Sequence, residues 1–591
     1  MNNIQSTSID QIFLQRMEVT RRVFTLLFAV IFLGLVYRQV LRSAAAPGKI
    51  VRVEVPVARG RILDRTGTVL ATSVPGYGLY LDYWEIRQQE KKEPEYLFRL
   101  KATLKQVLRM SDDQLEKVTR PPYPLVRRSL SLSEYEQLRK TGLPGLVFTQ
   151  THQRVYPFGP LAAHLIGFVG DEGEGLEGLE LFYDSVLKGK DGLSMVPRDG
   201  QGRLIPSLEK VLARPEPGAD LVLTVDFTFQ SILEEELEKG QQLFQPLNIT
   251  GIVMDASSGE ILALANRPAY DPNCFFRVPG EYRRNKAVTD YFEPGSIFKI
   301  VTAAACLEEG RVHLGQPIFC ENGRWYVRGH WLHDVHPYGT LTFEEVIIKS
   351  SNIGTVKLAL MLGEETLYQY CRRFGFGELT GIDIPGEIPG VLRPVNDWSG
   401  YSITAVPIGQ EVGINAIQGI RAMAALANGG FLVRPHVVKE LRSGGNCTPL
   451  YREKEPARII SEKTTQVLSS ILEKVASSEG TAARASLPGY RVCGKTGTAQ
   501  KVINGRYSSR VVASFIGYLY HPEAKLVILV SVDEPRGAQY GGVVAAPIFR
   551  NILWRILQSR KLAPEGTDAL QTITGVNGDR GRDRLLTKKR P

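Results

Sequence analysis

The chain lacks any pair of cysteines at the short spacing that a zinc ribbon or a redox centre needs. Its six cysteines, Cys274, Cys306, Cys320, Cys371, Cys447 and Cys493, are scattered singly and read as separate core thiols, with a disulfide open only if two of them meet outside the cytoplasm. No nucleic-acid motif is recognisable, so the net charge of +10 points to acidic lipid or an anionic substrate, and no nucleic-acid partner is expected. Long hydrophobic runs are also scarce: one stretch, VFTLLFAVIFLGLVY from Val23 to Tyr37, stands out. What remains is ordinary. Hydrophobic residues at 43% and charged residues at 23% exclude a chain that is mostly disordered, and 591 residues call for two or more domains.

The apolar run is bounded by Arg21, Arg22 and Arg38. Alone it covers about 22 Å, and continuing through Val40 and Leu41 brings it close to the roughly 30 Å of a bilayer core. A membrane span over 23–42 is therefore expected, with Arg38 reaching back to the interface. Ser43-Ala44-Ala45-Ala46 leaves a cleaved signal peptide open, and a buried core helix is the third reading. Arg16, Arg21 and Arg22 on one side against Arg38, Arg42 and Lys49 on the other give charge little say in orientation.

After the span, Arg52 to Ser73 alternates like two strands around the turn Arg65-Thr66-Gly67, a hairpin pattern. Glu90 to Lys117 reads as helix, and Arg154 to Gly192 is rich in glycine. Composition shifts at Pro215-Glu216-Pro217-Gly218, where the main domain boundary is expected. Beyond it come a strand from Leu221 to Val225, a helix from Phe229 to Lys239, and two strands between Gly251 and Ala265 around Ser257-Ser258-Gly259-Glu260. Strands and helices alternate to about Leu557, the pattern of an α+β or α/β domain. Residues 561–591 lack periodicity and read as a basic disordered tail.

Three short motifs in this second region carry chemistry. In EPGSIFKIVTAAACLEEG a helix starts near Ser296 and stops at Gly310, with Ile297, Ile300, Val301 and Ala304 facing the core and Ser296 and Lys299 one turn apart on another face. A serine hydroxyl needs an adjacent base, and a lysine can be one if it is neutral. Burial and the charge of Lys495 would both lower its pKa. Ser350-Ser351-Asn352 joins two helical patterns. There Ser350 could relay a proton between Lys299 and a leaving amine, and Asn352 could orient substrate or Lys299. Alone, the tripeptide reads as a helix cap. The third motif is CGKTGTAQ, Cys493 to Gln500. Gly497 would let a substrate backbone approach closely, Lys495, Thr496 and Thr498 would grip a terminal carboxylate, and the amides of Ser296 and Thr498 could form an oxyanion hole.

Each motif is weak singly, but Ser-x-x-Lys, Ser-x-Asn and Lys-Thr-Gly in this order resemble the penicillin-binding proteins and class A β-lactamases. The surrounding words resemble class B penicillin-binding proteins, the monofunctional transpeptidases, from Arg52 to Arg550. They are RGRILDRTG at Arg59, RVYPFG at Arg154, AAHLIGFVG at Ala162, GLEGLE at Gly175, NKAVTDYFEPGSIFK at Asn285, FGFGELTGIDIPGE at Phe374 and GKTGTAQK at Gly494.

The resemblance implies an α+β chain with a cytoplasmic tail (1–22), one transmembrane anchor (23–42), a non-catalytic pedestal like a dimerisation domain (43–215) and a transpeptidase domain of antiparallel sheet flanked by helices (216–560). The last would be extracytoplasmic. Ser296 would attack the penultimate D-Ala of a peptidoglycan stem peptide, release the terminal D-Ala and pass the acyl group to a neighbouring amine. β-Lactams would acylate the same serine.

No cofactor is implied, and no metal. His330, His333, Asp334 and His336 fit no standard zinc spacing and read as a polar loop near the cleft. Glycosyltransferase motifs are missing, so a membrane-embedded glycan polymerase and other division proteins are the expected partners. The words around Asn285 and Ser350 favour a septal role over elongation. A β-lactamase or D,D-carboxypeptidase, and a silent β-lactam sensor or division scaffold, are the other readings. One departure stands out: relatives usually carry a smaller residue at Glu411, and Thr-Pro in place of Asn415-Ala416.

Overall fold

In the computed structural model the residues described are 6–37, 50–120, 125–197, 208, 210–451, 456–521 and 524–564. The expected span therefore passes out of view after Tyr37, and the expected tail after residue 564. Helix α1 (Ser6–Val36) begins well before the apolar run, because nothing between Ser6 and Arg22 breaks a helix. Within it Phe13–Val36 is long and apolar enough to cross a membrane, with none of its surface buried by the protein. Among the described residues it is the one such helix, consistent with a single-pass membrane anchor.

The pedestal departs from the hairpin expected at Arg52. Ile50–Val55 pairs with Gly192–Pro197 and not with its neighbour in sequence, and the hairpin is confined to Ile62–Leu63 against Val69–Leu81. Asp64 tightens that turn, accepting from the amides of Thr66 and Thr68 at 2.9 and 2.7 Å. The helix pattern up to Lys117 resolves into three helices, Tyr83–Lys92, Tyr96–Leu108 and Asp112–Val118. They enclose a small separate core around Leu79, Leu100, Leu104 and Leu138.

No gap in the core marks the composition shift at Pro215. Asp220–Leu223 pairs in parallel with Ile62–Leu63 on one side and antiparallel with Val438–Ser443 on the other, so one seven-stranded sheet runs from the pedestal into the following region. Leu70, Leu165 and Leu187 share a core with the residues beyond 216. Buried charges clamp this junction. Glu180, fully buried, accepts from Arg59 Nε at 2.6 Å and Arg154 Nε at 2.7 Å, with Tyr156 Oη at 3.3 Å.

Helix α2 (Phe227–Phe244), capped by Asp226, leads into a five-stranded sheet. Its strands are β1 (Asn248–Asp255), β2 (Ile261–Arg267), β3 (Val492–Ile503), β4 (Arg506–Leu519) and β5 (Leu526–Asp533), in the order β2-β1-β5-β4-β3. All neighbours are antiparallel. The central strand β5, LVILVSVD, is buried along nearly its whole length, which is why it reads as an unbroken apolar run. Helices α3 (Lys299–Glu308), α4 (Asn352–Leu362) and α5 (Ala416–Ala427) form a layer on one face, while α2 and α6 (Gly541–Arg560) cover the other. All six cysteines are free, and Cys306, Cys320, Cys371 and Cys493 are buried.

Candidate active site

The chain enters α3 through a 3₁₀ turn, Gly295–Phe298. Gly295 has φ +54° and donates to the Gly409 carbonyl at 3.1 Å. Only glycine fits at 409, where a Cβ would lie 2.2 Å from the Gly295 oxygen. Ser296 is thereby held half-buried at the head of α3. The helix is buried on nearly every side, so Lys299, one turn after Ser296, lies in the interior, buried as a lysine base must be. A helix buried all round shows no polar face to read.

β3 is the edge strand of the sheet, and it lies directly against this turn. A Cβ on Gly295 would be 3.3 Å from the Thr498 carbonyl, and one on Gly497 would meet Ile297 Cδ1 and the Pro294 oxygen at 2.9 Å and Ser514 Oγ at 2.5 Å. Gly497 thus admits the turn carrying Ser296.

Lys299 and Lys495 are both fully buried. Lys299 Nζ donates to the Ser350 carbonyl at 2.6 Å and to Asn352 Oδ1 at 2.8 Å, and lies 3.2 Å from Ser350 Oγ. Lys495 Nζ lies 3.0 Å from the same Ser350 Oγ and 3.3 Å from the Thr496 carbonyl. Burial pushes the Lys299 amine down to about 7, the Asp334 carboxylate opposing that drop. Burial, and then the charge of Lys299, drives Lys495 well below the ordinary lysine range. Ser350 is held at φ +57°, a backbone state that costs a non-glycine residue about 1 kcal/mol or more. A hydroxyl donates one hydrogen bond and accepts two, so Ser350 can serve a charged lysine and a neutral one at once.

Asn352 begins α4 one residue after the cap, Ser351. Its Nδ2 donates to the His333 carbonyl at 2.8 Å, which leaves Oδ1 to face Lys299. Asp334 accepts from Ser351 Oγ at 2.6 Å and from the Asn352 and Ile353 amides. Spacing alone gave no sign of this. The segment 330–336, expected as a polar loop, begins instead as the second strand of a hairpin, His330–His333 paired with Arg324–Val327, and is divided in its work: His333 and Asp334 support Asn352, while the His330 ring packs on Tyr401 with centroids 5.1 Å apart. Among the described residues no group of three or more His, Cys, Asp or Glu side chains is placed to hold a metal.

Alternation along β3 turns Thr496 and Thr498 to the face opposite Lys495. Thr496 Oγ1 bonds Thr481 Oγ1 at 2.9 Å, and Thr498 Oγ1 accepts from the Gly541 amide at 3.1 Å, so the Thr498 O–H proton is left to donate.

The departures from the family pattern have local reasons. Asn415 caps α5, exchanging bonds with Gln418 in a capping box, and Ala416 follows at the first helical position. Asparagine replaces threonine as the cap, and alanine continues the helix as proline would. Glu411 sits at φ +58°, paired with Arg393 and accepting from Ser402 Oγ at 2.7 Å. It borders a cleft of about 530 Å³ on the helical side of β3, together with Glu293, Ala499 and Lys501.

With this geometry in place, comparison with known proteins is direct. The family described as penicillin-binding protein transpeptidase domain matches residues 249–554, and penicillin-binding protein dimerisation domain matches 54–223. Stage V sporulation protein D of Bacillus subtilis is 36% identical over 509 residues, 84% of this chain and 77% of that one. The probable peptidoglycan D,D-transpeptidase PenA of Neisseria meningitidis is 34% identical over 550 residues, 91% of this chain and 92% of that one. Among solved structures, penicillin-binding protein 3 of Mycobacterium tuberculosis in complex with ampicillin aligns at a TM-score of 0.69 and 28% identity, covering 87% of this chain and 98% of that one. A dimerisation-domain match followed by a transpeptidase-domain match, with relatives 34–36% identical over most of the chain, shows the family: the chain belongs to the penicillin-binding proteins, as a class B member.

Proposed function

We propose that the protein is a serine-type peptidoglycan D,D-transpeptidase working through an acyl-enzyme on Ser296. The observation that carries this reading is the convergence of two buried lysines on Ser350 Oγ, the first of them one turn after Ser296 where the 3₁₀ turn runs into α3. Neutral Lys299 takes the Ser296 proton as Oγ attacks the carbonyl of the penultimate D-Ala. The amides of Ser296 and Thr498 receive the oxyanion. As the C–N bond breaks, the departing D-Ala amine collects a proton by way of Ser350 from the lysine pair. An acceptor amine then attacks the ester, its proton returns through the same groups, and Ser296 leaves as the hydroxyl with a new amide crosslink formed. The Thr498 O–H suits the terminal carboxylate of the donor, while Lys495, on the opposite face of β3, serves Ser350.

α1 anchors the catalytic region to the cytoplasmic membrane with the N-terminus inside and the transpeptidase domain outside, where peptidoglycan and β-lactams are met. The resemblance favours septal synthesis, in complex with a membrane-embedded glycan polymerase. A second reading comes from the 36% identity to a protein named for sporulation, in which the same chemistry serves a spore-specific wall.

The test is labelling of the full chain in detergent with penicillin, followed by mass spectrometry. A stable adduct on Ser296, absent from Ser296→Ala, is expected. An adduct elsewhere, or one that turns over within seconds, rejects the transpeptidase reading, the latter in favour of a β-lactamase.

A further inference from the structure

Asp334 is not part of the three motifs, yet more of the site hangs on it than on any other residue outside them. Its Oδ2 accepts from Ser351 Oγ at 2.6 Å, and its Oδ1 accepts from the amides of Asn352 and, at 3.1 Å, Ile353. The first donor is the hydroxyl of the cap residue, and the other two are amides of the first turn of α4, which have no partner inside the helix. The preceding residue, His333, receives Asn352 Nδ2 on its carbonyl at 2.8 Å. Two successive residues at the end of the hairpin Arg324–Val327 and His330–His333 therefore fix both the backbone and the amide of Asn352. The hairpin end is fixed in turn, since the Asp334 amide donates to the Gly323 carbonyl at 3.0 Å.

Asn352 Oδ1 is one of three oxygens around Lys299 Nζ. A lysine serving as a base must keep its lone pair aimed at the nucleophile, and the acceptors behind it set that direction. We infer that Asp334 is a positioning residue of the reaction, acting through Asn352 to orient Lys299 while its carboxylate sets the charge that Lys299 faces. This rests on the acyl-enzyme reading above.

The charged and titratable groups near this pair are few. Lys495 faces Lys299 from β3. Asp334 acts on it from the hairpin end. Cys320 and Tyr338 face Asp334 and feel its charge, and Lys357 adjoins Cys320. Lys349, beside Ser350, turns away to the Glu479 carbonyl at 2.8 Å, and the His333 ring is on the exposed side of the hairpin. Of these, Asp334 is the anion that favours protonated Lys299, so its removal makes Lys299 neutral at lower pH.

The experiment is the rate of penicillin acylation of the full chain in detergent, against pH, for wild type, Asp334→Asn, Asp334→Glu and Ser351→Ala. Wild type rises with pH as Lys299 loses its proton. Asp334→Asn should lower the plateau at least tenfold and move the rising limb to lower pH by half a unit or more. Asp334→Glu keeps the charge but displaces the grip, so the limb should stay at the wild-type pH while the plateau falls. Ser351→Ala, losing its bond to Asp334 and the cap it gives the Gly354 amide but leaving the Asp334 charge and the Asn352 amide in place, should keep the limb at the wild-type pH with a plateau reduced a few fold.

A limb that does not move in folded Asp334→Asn overturns the inference, whatever the plateau, because a purely structural role changes only the amount of active protein. If Asp334→Asn fails to fold, Asp334→Glu decides, its rate being expressed per molecule that finally labels with excess penicillin: a wild-type rate per labelled molecule overturns the inference, and a lowered one on an unmoved limb supports it. Absence of any Ser296 adduct in wild type removes the acyl-enzyme reading instead, and is recognisable because no variant is then needed to see it.

Discussion

Lys299 and Lys495 meet at one hydroxyl, Ser350 Oγ standing 3.2 Å from the first amine and 3.0 Å from the second. Two ammonium groups buried this close repel strongly, and neither has a carboxylate bonded to it among the described residues. The pair therefore holds fewer than two protons near neutral pH, which is the state a serine nucleophile needs.

The first prediction is kinetic. Lys299→Ala should fold and bind penicillin but acylate roughly 10²-fold or more slowly, the usual scale for loss of a general base. The wild-type rate should climb through pH 7, following the amine held at about 7. Stopped-flow acylation across pH 5.5–9 checks both, and near-wild-type acylation by Lys299→Ala removes the base from the mechanism.

The second concerns stability. The folded-state pKa of Lys299 is lowered from 10.5 to about 7, so between those values the unfolded chain binds a proton that the native chain does not. Stability should rise with pH across this window, by about 1.4 kcal/mol per pH unit for one such proton. Lys299→Met should lose that slope and gain stability at pH 7. Denaturant unfolding at pH 7, 8 and 9 measures it, and parallel curves for the two proteins would falsify the assigned burial of a neutral amine.

The third turns on Gly497. Alanine there would bring Cβ to within 2.9 Å of Ile297 Cδ1 and the Pro294 oxygen, so either β3 or the turn carrying Ser296 must move. A cost of about 1–3 kcal/mol is expected for such overpacking, together with loss of most acylation because the nucleophile itself shifts. Thermal unfolding combined with penicillin labelling separates the two effects. Unchanged labelling would show that the turn has slack.

The fourth lies far from the chemistry. Glu180 is fully buried between Arg59 and Arg154, and removing one member of a buried pair leaves uncompensated charge worth about 3–5 kcal/mol. Glu180→Ala should therefore lower the unfolding midpoint sharply, and Ser296 should still be acylated in the fraction that stays folded. A midpoint within a degree or two of wild type would mean that water replaces the carboxylate.

These residues also show what could be read beforehand. RGRILDRTG, RVYPFG and GLEGLE were legible only as resemblance, with no chemistry attached; in three dimensions Arg59, Arg154, Tyr156 and Glu180 turn out to be one buried cluster. The catalytic motifs were legible because Ser296 and Lys299 are one helical turn apart and because Ser-x-x-Lys, Ser-x-Asn and Lys-Thr-Gly come in a known order; that Cys493 to Gln500 itself lies in strand β3 came only with the structure. Asp334 was not, because its partners Ser351, Asn352 and Ile353 lie 17 to 19 residues away in sequence and no local spacing encodes such a contact. The course of Ile50–Val55 was misread for the same reason, its partner strand being Gly192–Pro197. The burial of α3 on nearly all sides likewise escapes periodicity, which reports faces only when one of them is wet.

The last prediction concerns the wall machine the enzyme serves. Asn285-Lys286-Ala287-Val288-Thr289-Asp290, Glu293-Pro294-Gly295-Ser296 and Ser350-Ser351-Asn352-Ile353-Gly354 resemble the division type of class B protein, so septal crosslinking is expected, an inference by family analogy and not from site geometry. Such a role needs a partner that polymerises glycan in the membrane, and α1 offers a surface for one: Ala29 and the open space around Gly34 let a second helix approach closely. Depleting the protein in its host should give long, undivided cells of normal width, and replacing Gly34 with leucine should reproduce that defect while leaving purified protein fully able to label with penicillin. Rods that round up while still dividing would assign the enzyme to elongation. Cells that grow and divide normally but fail to build a spore would assign it to the role for which the Bacillus subtilis relative is named, and in either case the chemistry at Ser296 would stand while the septal assignment falls.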